Sequence, residues 1–151
     1  MREIIFRGKN TNEEWVYGSL VIGNSNYWIA TTDGTVHTVY PDTIGEFTGE
    51  YDKYHRRIFE GDYVLRHYLH VRKAGTRRTY YYTKLPLKVR FEAGVFSCRR
   101  LDKEHAWWKL TQKGIEVAGN IYDNPELDMD IPENKERYAS EHHRPSEMLH
   151  F

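Results

Sequence analysis

Apolar and polar residues alternate over short runs in the first 65 residues, and glycine-bearing or polar turns separate these runs. This pattern predicts β-strands, because successive strand side chains point to opposite faces, whereas no run shows the spacing of an amphipathic helix. Asp33-Gly34 predicts a hairpin, since glycine accepts the positive φ of a tight turn. The predicted strands are EIIFR (3–7), WVYGSLVI (15–22), YWIATT (27–32), TVHTVY (35–40), TIGEFTGEY (43–51) and RIFEGDYVL (57–65).

The middle of the chain predicts a long hairpin of unusual charge. Residues 66–90 hold eight Lys or Arg and two His, and no acid occurs between Asp62 and Glu92. Two runs rich in β-formers flank a turn at residues 73–76. We expect an insertion at about residues 66–88 that protrudes from the rest of the fold as a β-hairpin arm.

The last third predicts fewer strands and a separate tail. KVRF (88–91), VFSCRRL (95–101) and IEVAGNIY (115–122) read as strands, whereas DKEHAWWKLT (102–111) fits either a helical turn or an irregular strand. Many short strands with frequent turns predict a mainly β fold, an antiparallel meander that closes into a small barrel. We expect residues 1–127 to form this domain and residues 128–151 to form an acidic tail, partly helical or irregular.

Composition narrows the class of protein. The chain of 151 residues is long enough for one domain with its own core, and its Lys plus Arg and Asp plus Glu both total 22. The one cysteine, Cys98, lies in a predicted strand and cannot form an internal disulfide, so we expect a core thiol and a reducing compartment. No apolar run reaches the length of a membrane span, and we expect a cytoplasmic protein.

Glu60-Gly61-Asp62 is the strongest candidate for catalytic chemistry. Two carboxylates two positions apart on a strand point the same way, as a catalytic pair or a Mg²⁺ site requires. A Gly-Asp step between two apolar runs is more typical of a structural turn, in which Asp accepts backbone hydrogen bonds. No nucleophile motif accompanies the triplet. We therefore expect a structural turn and no enzyme.

The eight histidines do not form a metal-ligand pattern. His67 and His70 lie three apart, so on a strand they point to opposite faces. His142-His143 has no spaced Cys or carboxylate partners. We expect no metal and no cofactor.

The basic hairpin is the feature that most suggests binding. Clustered cations neutralise phosphates, and tyrosine rings stack on unpaired bases. On a strand, residues 78, 80 and 82 would share one face. Three interpretations stay open: single-stranded nucleic acid, a protein contact that includes a homo-oligomer, or a solvated hairpin. The candidate macromolecule-binding residues are Arg72, Lys73, Arg77, Arg78, Tyr80 and Tyr82.

Four ordered blocks resemble the YopX family of phage and prophage proteins. They are MREIIFRGK, WVYGSLVIG, VYPDTIGEFTGEYDKYHRRIFEGDYVL and IEVAGNIYDNPEL, which together span residues 1 to about 127. The resemblance implies a β-rich fold with an SH3-like barrel and implies no particular activity. Tyr54-His55-Arg56 stands where the family usually has an Asn-Gly-type turn, so we expect a longer or differently shaped loop there.

These observations predict a non-enzymatic accessory protein of a phage or prophage, built on a small β-barrel that binds a macromolecule. One alternative is a homo-oligomeric assembly protein that uses the 66–88 hairpin as an inter-subunit arm. A second alternative is binding of single-stranded nucleic acid through that hairpin. No membrane partner is expected.

Overall fold

The strands of the protein form two antiparallel sheets. The computed structural model describes residues 1–99, 107–110, 114–142 and 149–150, and within these ranges it leaves the side chains of 67–72, 79–84, 99, 107–109, 142 and 149–150 undescribed. The elements of this part are β1 Phe6–Lys9, β2 Trp15–Gly23, β3 Asn26–Ala30, β4 Val36–Thr38, β5 Gly45–Tyr51, β6 Arg57–Phe59, β7 Asp62–Ala74, β8 Arg77–Glu92, β9 Val95–Arg99, β10 Trp107–Lys109, β11 Ile115–Asn120, α1 Pro132–His142 and β12 Leu149–His150.

The first sheet has the strand order β4-β3-β2-β1-β5-β6. Asn24 and Ser25 join β2 to β3, and both have a positive φ (47° and 65°), as a two-residue hairpin turn requires. Gly34 has a φ of 84° in the next hairpin, and the Asp33 carboxylate accepts a hydrogen bond from the Thr35 N–H at 2.9 Å. Local turn chemistry therefore sets the register of three consecutive strands.

The second sheet has the order β10-β9-β8-β7-β11, and β12 also pairs with β8. The chain passes from the first sheet to the second between β6 and β7. Gly61 lies in this connection with a φ of 86°, a conformation that few other residues adopt without strain. Its N–H donates to the Val89 carbonyl at 3.0 Å, and its carbonyl accepts from the Ile121 N–H at 2.9 Å.

The main hydrophobic core lies on the second sheet and is completed by Ile58 from β6. Cys98 is fully buried in it, as the sequence predicts for a core thiol, and burial raises the pKa of this thiol to about 11. The other buried members are Val64, Leu87, Val89, Leu110 and Ile115.

The acidic tail begins by packing against the second sheet. Asp128 forms an ion pair with Lys88 at 3.2 Å, and Asp130 forms one with Arg90 at 2.9 Å. Helix α1 follows at Pro132–His142, where proline is favoured because the first helical position needs no N–H donor. The structure therefore confirms the prediction that the tail is partly helical.

The predicted mainly β, antiparallel fold is confirmed, but the predicted barrel is corrected. The described strands form open sheets that do not close. The reason lies at β6, which pairs with β5 at only Phe47↔Phe59 and Tyr51↔Arg57, with an irregularity between them. After Phe59 the chain turns at Gly61 into the other sheet, so no described strand joins β6 to β4. Of DKEHAWWKLT, residues 107–109 are a strand, and residues 102–106 and 111 lie outside the described part.

Candidate functional site

The predicted arm extends the second sheet beyond β9 and β11 through the pairing of β7 with β8. Strand β11 pairs with β7 only as far as Arg66, and β9 pairs with β8 only from Lys88 onward. Residues 67–84, which we call the arm, continue beyond these flanking strands as eight cross-strand pairs, from His67↔Lys84 to Ala74↔Arg77. At a rise of about 3.3 Å per residue, the arm is about 26 Å long.

The end of the arm concentrates positive charge. Lys73 lies directly opposite Arg78, and Arg77 follows the turn at Gly75, whose φ is 62°. All residues from 73 to 78 are exposed. Within the part of the chain that the structure describes, none of the three cations has an ion pair or a side-chain hydrogen bond. Like charges opposite each other destabilise a strand pair, so the fold itself gives no reason for this arrangement.

Three other predicted binding residues can be placed only by their backbone. Arg72 lies opposite Thr79, Tyr80 opposite Val71, and Tyr82 opposite Leu69. Their side chains lie outside the described part, so the shared face predicted for residues 78, 80 and 82 stays a prediction. β12 pairs with β8 at Thr79 and Tyr80, on the strand edge that faces away from β7.

Asp62 lies at the connection between the sheets and is almost fully buried, at 1% exposure. One carboxylate oxygen forms an ion pair of 2.7 Å with the equally buried Arg7, and the other accepts the Phe59 N–H at 2.8 Å. Burial raises the pKa of Asp62, although the Arg7 guanidinium and the Phe59 N–H oppose this shift. One oxygen therefore joins β7 to β1, and the other fixes the turn between β6 and β7.

Glu60 does not converge with Asp62. It is half-buried and lines a different cavity, beside Lys88 and Arg90, whereas Asp62 lines a cleft with Arg7. Burial raises the pKa of Glu60, and the neighbouring Glu46 carboxylate adds to this shift. The geometry supports the interpretation of Glu60-Gly61-Asp62 as a structural turn.

Sequence reasoning missed Asp52, a buried carboxylate that ties the two sheets together. Its oxygens accept the N–H groups of Tyr54 and Arg56 at 2.8 and 2.9 Å, the Arg56 Nε at 2.8 Å and the Val117 N–H of β11 at 3.1 Å. Burial opposes ionisation, but these donors outweigh it and lower the pKa of Asp52. An Asp at the end of a strand with Arg four residues later was the available signal.

The loop around His55 stays tight although it departs from the expected Asn-Gly pattern. The Asp52 N–H donates to the Arg56 carbonyl at 2.8 Å, which closes the turn. His55 adopts a φ of 61°, the conformation that asparagine and glycine favour. Tyr54-His55-Arg56 therefore forms a tight turn, and the expectation of a longer or differently shaped loop than in the family stays a prediction.

A second polar cluster surrounds Asp123. Its carboxylate accepts hydrogen bonds from Lys9 Nζ at 2.5 Å, Trp15 Nε1 at 2.7 Å and Asn120 Nδ2 at 3.0 Å. Burial opposes ionisation, but the bonds from Lys9, Trp15 and Asn120 outweigh it and lower the pKa of Asp123 to about 2. Asn120 also accepts the N–H groups of Tyr122 and Asp123, as a turn-capping Asn does.

Among the described residues, no three His, Cys, Asp or Glu side chains lie close enough together to hold a metal ion. No helix in the described ranges has both the length and the apolar character needed to cross a membrane.

Comparison with known proteins identifies one family. A search of curated proteins found no match. The sequence profile of the family described as YopX protein matches residues 5–127, which include all strands from β1 to β11. The match covers most of the chain and agrees with the four blocks seen in the sequence. The chain therefore belongs to the YopX family.

Proposed function

We propose that this protein is a non-enzymatic binding module, an accessory protein of a phage or prophage that acts in the cytoplasm, and that its arm binds single-stranded nucleic acid. The observation that carries the proposal is the exposed cluster of Lys73, Arg77 and Arg78 at the end of the arm, with Lys73 directly opposite Arg78. A polyanion supplies the missing counter-charge.

The electrostatics of the arm favour phosphate over a protein surface of mixed charge. No acid lies between Asp62 and Glu92, so no residue of the hairpin itself can neutralise the cations. The acids Asp128 and Asp130, which follow β11, pair with Lys88 and Arg90 at the base of the hairpin. Phosphates that contact the free cations release their counterions, which favours binding at low salt.

The aromatic content of the arm favours single strands. Tyr80, Tyr81 and Tyr82 occupy consecutive positions of β8, immediately after the cationic end. Bases stack on tyrosine rings only when they are unpaired, and each such stack contributes about 1–3 kcal/mol. The combination of cations with adjacent rings is the usual composition of sequence-tolerant single-strand binding sites.

Alanine substitution of the cationic end is expected to abolish nucleic-acid binding. The binding of a fluorescent oligothymidylate of about 16 nucleotides would be measured by anisotropy at about 50 mM salt. The variant replaces four residues together: Arg72→Ala, Lys73→Ala, Arg77→Ala and Arg78→Ala. Duplex DNA of the same length serves as a second probe, and the single strand is expected to bind more tightly.

A matched control separates local charge from net charge. It removes four exposed cations outside the arm: Arg2→Ala, Lys53→Ala, Lys135→Ala and Arg137→Ala. This control is expected to keep most of the affinity, because the four cations that it removes lie outside the arm and do not contact the nucleic acid. The proposal is wrong if the wild-type protein does not bind, or if the control loses as much affinity as the arm variant.

A homo-oligomer is the second candidate, and one observation favours it. β12 adds to the edge of β8 in the arm, with Leu149 opposite Tyr80 and His150 opposite Thr79. This edge therefore accepts an added strand, which a second subunit could supply in the same way. The tail that carries β12 is acidic from Asp123 onward, with eight acids against three Lys or Arg, and so complements the basic arm.

Removal of the arm tests the assembly candidate. Arg66 and Leu85 are cross-strand partners, so an Asn-Gly turn can join them in place of residues 67–84. Light scattering is expected to give an oligomer for the full chain and a monomer for the shortened one if subunits exchange strands at the arm. Monomeric masses for both proteins would rule this candidate out.

A further inference from the structure

A small pocket lies beside the connection through which the chain passes from the first sheet to the second. The Gly61 N–H donates to the Val89 carbonyl at 3.0 Å, and both residues line the pocket. Its volume is about 280 Å³, just below the range of drug-sized ligand sites. A pocket of this size suits a group as small as one long side chain.

Glu60 lines this pocket and has no ion pair among the residues that the structure describes. It is half-buried, and burial raises its pKa. The neighbouring Glu46 carboxylate adds to this shift, whereas a hydrogen bond from the Glu46 N–H opposes it. A carboxylate that burial disfavours in its charged form is stabilised by a cation placed next to it.

The other charged side chains of the lining already form ion pairs. The pairs are Lys88 with Asp128 at 3.2 Å, Arg90 with Asp130 at 2.9 Å and Arg90 with Glu92 at 3.7 Å. These two cations and three acids carry a formal charge of −1, and Glu60 brings the total to −2. A positively charged ligand therefore matches the pocket, whereas an anion would meet an excess of negative charge.

Apolar side chains form much of the remaining lining. Ile44, Phe91 and Ile121 belong to it, and Phe91 is 54% exposed although its ring is large and apolar. Tyr122 lines the pocket as well, and aromatic rings attract cations. Lysine and arginine combine an aliphatic stem, which packs on apolar surface, with a charged end. The pocket offers contacts for both parts of such a side chain.

We propose that this pocket binds the basic side chain of a partner protein, a lysine or an arginine, with the stem against Ile44 and Phe91 and the charged end at Glu60. The one carboxylate without an ion pair matches a ligand with one positive charge, which favours a single side chain over a polyamine. The pocket lies at the end of β8 away from the arm. The proposal therefore stands whether or not the arm binds nucleic acid.

Titration of the backbone amide NMR spectrum with N-acetyl-lysine N′-methylamide tests the proposal. This probe is expected to shift the amides of Glu60, Gly61, Phe91 and Ile121 and to leave those of residues 73–78 unchanged. The norleucine analogue has the same stem without the ammonium group and is expected to bind at least about tenfold more weakly. Putrescine, a diamine, is expected to bind no more tightly than the lysine probe. Equal binding of the norleucine analogue, or tighter binding of putrescine, would overturn the proposal.

Two matched substitutions test the role of Glu60. Glu60→Gln is expected to weaken binding of the lysine probe at least about tenfold, whereas Glu50→Gln, which removes an exposed acid outside the pocket, leaves it unchanged. Because burial disfavours the charge of Glu60, Glu60→Gln is expected to keep the wild-type free energy of unfolding. A marked loss of stability would mean that the carboxylate already has a partner. That result, full binding by Glu60→Gln, or no shift of the pocket amides in the wild-type protein would refute the proposal.

Discussion

Replacing Asp62 by asparagine is expected to lower the free energy of unfolding by about 3–5 kcal/mol. The substitution keeps an acceptor for the Phe59 N–H but leaves the Arg7 guanidinium, which is 5% exposed, without its counter-charge. Water has little access to the guanidinium at this depth, so a buried cation without a counter-charge costs far more than the ion pair contributes. Chemical unfolding followed by tryptophan fluorescence would measure the change.

A double variant separates this explanation from a simple loss of packing. Arg7→Met combined with Asp62→Asn removes both charges and is expected to be more stable than Asp62→Asn alone, because no buried ion is left unpaired. The energies of the two single variants would then not add. Additive energies would mean that Arg7 and Asp62 contribute independently and that the ion pair does not join the sheets.

Replacing Asp52 by asparagine is the second large effect, expected at about 2–4 kcal/mol. The Asp52 carboxylate accepts four hydrogen bonds, from two donors of its own turn, from the Arg56 side chain and from Val117 on the other sheet. In asparagine, an NH₂ group replaces one of the two accepting oxygens. This group is itself a donor, so it would face N–H donors and could not form hydrogen bonds with them. The loss would be seen in the same unfolding measurement.

The pH dependence of the Asp52 variant gives an independent check. The pKa of Asp52 is lowered in the folded protein, so its stabilisation is present above the unfolded pKa of about 3.9 and is lost as the pH falls through the folded value. The stability difference between wild type and Asp52→Asn is therefore expected to shrink below about pH 4. A difference that stays constant down to strong acid would show that the charge of Asp52 is not what stabilises the turn.

Much of the strand order could be predicted because its causes are local. Period-two alternation marked the strands, and Asp33-Gly34 marked a hairpin that the structure contains, with β3 paired to β4. The runs rich in β-formers on each side of one turn predicted the hairpin of β7 and β8. Each of these signals lies within a few residues of the feature it predicts.

The contacts that join the two sheets could not be predicted because their partners are distant in sequence. Val117 lies 65 residues from Asp52, and Asp123 lies 114 residues from Lys9. A single Asp at a strand end gives no indication of which N–H it will accept. The predicted barrel was wrong for the same reason, since its closure depends on which edges meet after the turn at Gly61.

The candidate site likewise contains residues that the sequence predicts and contacts that it does not predict. Lys73, Arg77 and Arg78 were predicted from charge alone, and the structure adds that they are exposed and that two of them lie opposite each other. The pairing of Arg7 with Asp62 had no sequence signal, because Arg7 lies in β1 and Asp62 begins β7. A pattern read along the chain cannot bring Arg7 next to Asp62.

The salt dependence of single-strand binding tests the central proposal most directly. If the arm neutralises phosphates through its four cations, a plot of log K against log salt is expected to have a slope of about −3, from about −0.7 for each phosphate contact. The arm variant is expected to show a slope near zero and little binding at any salt concentration. A wild-type slope near zero, or the same slope in both proteins, would contradict the account.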